Sequence, residues 1–175
     1  MPLNVEIKAR CADHAPLRDA LEGLGARCVG TDHQIDTYFP AKSGRLKLRE
    51  GNIENSLIHY DRPNQEGPKK SEVTLARVPA DAGLGAVLRA GLEPLVVVDK
   101  TREIWFADNV KLHLDRVEGL GQFVEIEAID SDGTIGEEHL LKQCRDFMEL
   151  FAIAADDLID HSYSDMVLAL EKYKG

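Results

Sequence analysis

Between Arg45 and Glu50 the chain reads RLKLRE, with Arg45, Lys47 and Arg49 alternating with Leu46 and Leu48. A period of two predicts a strand with one charged and one apolar face. The period recurs at Leu3–Arg10, where Leu3, Val5 and Ile7 oppose Asn4, Glu6 and Lys8. It recurs at Ser56–Arg62, where Ile58, Tyr60 and Arg62 share a face. From Leu95 to Phe106, Val96, Val98, Lys100, Arg102 and Ile104 oppose Val97, Asp99, Thr101, Glu103 and Trp105. From Val110 to Val117, Lys111, His113 and Asp115 oppose Leu112 and Leu114. Gln122–Asp130 and Ser71–Val78 complete the strands, with a longer one over Arg27–Phe39, interrupted near Gly30.

Helical spacing replaces alternation in four places. His14–Leu24 carries Leu17, Leu21 and Leu24, with Asp13 as N-cap and Gly23 and Gly25 as a stop. Pro79–Leu92 predicts a helix capped by Asp81 and weakened by three internal glycines. Thr134–Phe151 turns Leu140, Leu141, Cys144, Phe147 and Met148 inward, and a short turn follows at Asp156–Asp160. Ser162 caps the last helix, with Asp165 three residues on. No repeat or linker divides the chain, so residues 1–175 are expected to form a single domain.

Composition narrows the function classes. With 43% hydrophobic residues in 175, the chain can bury a real core. A net charge of −10 opposes non-specific nucleic-acid binding and a polybasic membrane surface. Cys11, Cys28 and Cys144 are odd in number and widely spaced, which fits free thiols in a reducing cytoplasm. The charged first ten residues lack a signal core, and the longest apolar run is far too short to span a bilayer. The expectation is a cytoplasmic protein with no membrane or nucleic-acid partner; a homodimer stays open.

The charges are segregated by strand. Three cations on one face of Arg45–Glu50 repel one another unless an anion compensates them; the alternative is an exposed edge strand kept soluble by charge. The stretch Asp115–Ala128, DRVEGLGQFVEIEA, places Asp115 before a glycine turn and Glu125 and Glu127 two apart after it. Its carboxylates suit a hard cation such as Mg²⁺ or Mn²⁺, or else form a solvated surface hairpin. Closing eight antiparallel strands into a barrel would put both sets of charges in the lumen and the apolar faces against helices. A basic lumen with a few carboxylates suits a polyphosphate and a divalent ion. P-loop and GxGxxG fingerprints are absent.

VEIKAR, GRLKLRE, VVVDKTREIW and DRVEGLGQFVEIEA, in this order, resemble the CYTH superfamily, the triphosphate tunnel metalloenzymes. The resemblance covers essentially the whole chain, to HSYSDMV, and the GLG-x-F-x-E-I-E block is its most specific part. It implies an α+β fold, an eight-stranded antiparallel barrel or tunnel with flanking helices. It implies a metal set of Glu6, Asp115, Glu125 and Glu127 for Mg²⁺ or Mn²⁺. It implies phosphate contacts from Lys8, Lys47, Arg49, Arg62, Lys100 and Arg102, and places Glu6, Lys8, Arg49 and Lys100 at the catalytic centre. Arg45 and Lys111 join the substrate-binding set because they share the same strand faces. Against the family's Glu-x-Glu-x-Lys, Asn4 replaces the first Glu; an amide oxygen can ligate a metal but carries no charge.

The implied activity is that of a class IV adenylyl cyclase, converting ATP to cyclic AMP and pyrophosphate. The alternatives are an inorganic or thiamine-type triphosphatase, or a binding module without turnover. His113 is expected as a hydrogen-bonded lumen histidine, Tyr60 as filler, and Tyr163 as the start of a helix closing one end. Asp36 is expected to orient Arg45 or Arg49.

Overall fold

The structure, a computed structural model, describes residues 3–62 and 64–174. Its strands are β1 (Leu3–Arg10), β2 (Arg27–Phe39), β3 (Arg45–Glu50), β4 (Asn55–Asp61), β5 (Lys69–Arg77), β6 (Val96–Ala107), β7 (Val110–Val117) and β8 (Gly121–Asp130). They close into a barrel in the order β1-β5-β4-β3-β2-β6-β7-β8, every pairing antiparallel. The interruption expected near Gly30 is a register shift between Cys28 and Gly30 in the β2–β6 ladder, where Gly30 takes φ 141°, a backbone state side chains disfavour.

The helices are α1 (Ala15–Gly23), α2 (Leu84–Gly91), α3 (Glu137–Leu150) and α4 (Tyr163–Lys174). Leu17 and Leu21 of α1 and Leu140 and Cys144 of α3 pack on the outward apolar residues of β1, β7 and β8, among them Val5, Ile7, Leu112 and Ile126. Each such buried aliphatic side chain contributes about 1.5–3 kcal/mol, so the period-two pattern is held on its apolar side. α4 covers one end, where Tyr163 tilts against Phe123 at 5.1 Å between centroids, and Ser162 Oγ accepts the Asp165 N–H at 3.2 Å, as the expected cap.

Three helix starts differ from expectation. His14, rather than Asp13, is the N-cap of α1, while Asp13 accepts the Ala15 N–H. α2 begins only at Leu84, because Gly83 at φ 71° breaks the backbone and no side chain caps it. α3 begins at Glu137 because the Asp130 carboxylate ties up the N–H groups of Gly133, Thr134, Ile135 and Gly136 in a turn.

Candidate functional site

The charged faces all turn inward. Lys47 and Arg49 of β3, Lys100 and Arg102 of β6, Lys111 of β7 and Lys8 of β1 line one cavity of about 280 Å³, joined by Arg62 after β4. Most of these cations are held by a carboxylate.

Asp36 of β2 is the anchor of one wall. It is 1% exposed and accepts two hydrogen bonds from Arg49, both at 2.9 Å. Lys100 Nζ lies 2.6 Å and Lys47 Nζ 3.3 Å from the same carboxylate. Burial opposes its ionisation, but Arg49, Lys100 and Lys47 outweigh it and hold Asp36 well below the usual carboxylate range. Burial also pulls the lysines down, Lys47 to about 8 and Lys100 to about 7, although Asp36 pulls back. Lys100 therefore sits near its titration midpoint at neutral pH. Phosphate binds the ammonium form, so affinity for tripolyphosphate should fall as pH rises from 7 to 9, by up to about tenfold per unit for each proton taken up. Calorimetry in buffers of different ionisation heat should show that proton uptake; pH-independent affinity with no uptake would refute it.

The opposite wall belongs to β1, β7 and β8. Asp115, expected among the metal ligands, is paired here with Arg102 and Tyr163. Arg102 donates to both its oxygens at 2.8 and 2.7 Å, and Tyr163 donates its hydroxyl to it at 2.7 Å. With 0% exposure and both oxygens engaged, it orients Arg102 and docks α4. Glu125 meets Arg102 at 3.0 Å, Lys8 at 3.4 Å and His113 Nδ1 at 3.0 Å. Burial lowers His113 to about 4, so the ring is neutral; its Nε2 is buried and unpartnered among the described residues. Glu6 pairs with Arg62, and the Asn4 side-chain amide donates to Glu127 at 2.7 Å.

Glu6 stands directly across from Glu127 in the β1–β8 ladder, and Glu125 is two residues along. Three carboxylates at neighbouring lumen positions repel one another, and burial pushes Glu127 up. By donor type and register Glu6, Glu125 and Glu127 fit a hard divalent ion. Among the described residues, no three acidic, His or Cys groups are gathered closely enough to hold one: Glu6 is paired with Arg62, Glu125 with Lys8, and Glu127 with the Asn4 amide.

Arg45 is not brought to this cluster. It pairs with Asp165 of α4 at 2.6 Å, at the rim. Among the lumen groups that the sequence motifs do not mark are Glu54 and Gln34. Glu54 precedes β4 and bonds Lys111 at 2.5 Å; its parity with Ser56 and Ile58 was the available signal. Gln34 of β2 donates to Glu54 at 3.0 Å, but its short polar side chain carries no motif. Tyr60 faces inward as filler, with the cations of Lys47 and Arg62 over its ring at 5.3 and 5.1 Å.

The sequence profile of the CYTH domain matches residues 2–163. The chain belongs to the CYTH family. A Methanocaldococcus jannaschii protein, MJ0240, provisionally named an adenylate cyclase, is 24% identical over 94% of this chain and 98% of its own length. The PH1012 protein of Pyrococcus horikoshii superposes with a TM-score of 0.75 at 26% identity, over 93% of this chain and 98% of that one. The Hippeastrum protein HpAC1, described as an adenylyl cyclase candidate with a dominant triphosphatase activity, shares the fold at a TM-score of 0.63 and 18% identity, over 97% and 96% of the two chains. The CYTH barrel with its helices outside is the architecture observed here. CYTH membership implies dependence on a divalent metal. Among the described residues no helix is long and apolar enough to cross a membrane.

Proposed function

We propose that this CYTH protein is a divalent-metal-dependent enzyme that binds a triphosphate in the barrel lumen, with ATP cyclisation as the leading reaction. The observation that carries the reading is the charge of the cavity. Seven Lys and Arg side chains and five carboxylates line it among the described residues, a surplus of two positive charges. A triphosphate carries about four negative charges, and with one divalent ion the pair carries about two, which complements that surplus.

Arg49, Lys100 and Arg102 bind and orient the phosphates, Arg doing so through its planar fork. Positioning and charge neutralisation are what phosphoryl chemistry asks of a protein. A divalent ion, Mg²⁺ or Mn²⁺, held by Glu6, Glu125 and Glu127 would supply further charge neutralisation. In the cyclase reaction the ribose 3′-hydroxyl gives up its proton to water, its oxygen bonds to the α-phosphorus, and the bond to the leaving pyrophosphate breaks. Hydrolysis of a short triphosphate is the second reading, favoured by the inner aromatics: Tyr60 is already covered by cations and hydrogen-bonds Tyr38 at 3.4 Å, leaving its ring occupied against a base.

The test is to incubate the purified protein with ATP, thiamine triphosphate and inorganic triphosphate, each with Mg²⁺ or Mn²⁺. Cyclic AMP with pyrophosphate supports cyclisation. Phosphate release without cyclic AMP moves the conclusion to hydrolysis. Tight binding without product leaves a binding module, and no binding sinks the reading.

Asn4 supplies a separate check on the metal ligands. Asn4→Glu would replace the amide donated to Glu127 with a second carboxylate. Without metal the variant should unfold at lower temperature, by about 1–3 kcal/mol of stability, because Glu127 loses its donor and gains a like charge. Mn²⁺ should then raise its melting temperature more than that of the wild type. Equal Mn²⁺ responses would show that position 4 does not face the metal.

A further inference from the structure

We propose that Glu54, carried on a loop clamped by Asp32, bars one end of the lumen and sets the longest linear phosphate chain it accepts. The inference rests on the lumen being the triphosphate site and adds the chain length that it selects.

The loop from Gly51 to Glu54 joins β3 to β4. Asp32 of β2 is 0% exposed, and its carboxylate accepts the consecutive N–H groups of Asn52, Ile53 and Glu54 at 2.6, 2.9 and 3.0 Å. Gln34 donates to it as well, at 2.9 Å. Gly51 is required for this approach, since a Cβ there would lie 2.7 Å from Asp32 Oδ2 and 2.7 Å from the Glu54 carbonyl oxygen. A loop bound through three successive backbone donors holds its side chains in place without relying on them.

The Glu54 carboxylate is aimed across the cavity. One oxygen lies 2.5 Å from Lys111 Nζ on β7; the other lies 3.4 Å from Arg49 and 3.0 Å from Gln34 Nε2. β4 and β7 are four places apart in the ring of eight strands, so the Glu54–Lys111 pair joins opposite walls. A phosphate chain advancing past Arg49 meets a carboxylate already seated on the cations that it would need. One more phosphate must displace a like charge, whereas a chain ending short of Glu54 need not.

The experiment is titration calorimetry of the full chain with tripolyphosphate and tetrapolyphosphate, for the wild type, Glu54→Ala and Glu54→Gln. The loop should survive both substitutions, because Asp32 binds the Glu54 backbone rather than its side chain. The wild type should bind tripolyphosphate more tightly. The ratio of the two affinities should move roughly tenfold toward tetrapolyphosphate in Glu54→Ala, the scale of one partly screened like-charge contact, and less in Glu54→Gln, which keeps the bulk. An unchanged ratio in both variants, or a wild type that does not discriminate, overturns the inference while leaving the triphosphate site standing. Failure of the wild type to bind tripolyphosphate overturns both.

Discussion

Asp36→Asn should destabilise the protein by about 3–5 kcal/mol, the cost of breaking a buried ion pair from one side, and lower the melting temperature by on the order of 10 °C. The carboxylate is the shared partner of Arg49, Lys47 and Lys100. Among the described residues, an amide of the same shape leaves Lys47 and Lys100 with no carboxylate partner and Arg49 with only its longer contact to Glu54. Direct repulsion among them adds to the lost attraction, because Arg49 and Lys100 are buried. The loss should be conditional: tripolyphosphate supplies the missing negative charge, so it should raise the melting temperature of Asp36→Asn by more than that of the wild type. Thermal unfolding with and without tripolyphosphate reads both effects. A variant that melts like the wild type would show that Asp36 does not hold the cationic wall together.

Arg49→Ala and Lys100→Ala should each weaken tripolyphosphate binding by about 2–4 kcal/mol, roughly 30- to 1,000-fold, the usual range for deleting a buried charged contact. Arg49 makes the two-pronged contact with Asp36, which fixes its guanidinium plane before any ligand arrives. Arg49→Lys should recover only part of the loss, since an ammonium cannot reproduce the fork. Lys100→Arg should perform poorly for a different reason: Lys100 is fully buried against Asp36, and a larger head would have to displace Arg49. Calorimetry of the four variants checks these outcomes. Intact binding in Arg49→Ala and Lys100→Ala would refute the basic-lumen reading.

Much of the barrel was legible before any coordinates. β3 and β7 have the residue limits that alternation predicts, and the β2 ladder shifts register at Gly30, where the pattern predicts an interruption. Strands are legible because each alternate side chain must choose between an apolar layer and a polar one, and that choice is written residue by residue. Helix starts were less legible. Asp81 has the composition of a cap, but the left-handed backbone at Gly83 decides where α2 begins, and Asp130, seven residues before Glu137, decides how α3 is entered.

The inward charges were legible for the same reason as the strands: Lys8, Lys47, Arg49 and Lys111 are on the lumen side because their neighbours Ile7, Leu48 and Leu112 are on the packed side, and Lys100 and Arg102 because they share the buried face of β6 with Val98 and Ile104, opposite the exposed Asp99 and Thr101. By itself, then, the sequence determined which residues face inward and that the inner surface is predominantly basic. Only the tertiary structure decided the pairing. It gave Asp115 to Arg102 and Tyr163, turned Arg45 to Asp165 at the rim, set Asp36 under three cations and carried Glu54 across to Lys111. The physical reason is that alternation specifies a face, whereas an ion pair across a barrel depends on strand order, register and loop path, which bring together residues such as Glu54 and Lys111 that no local pattern connects.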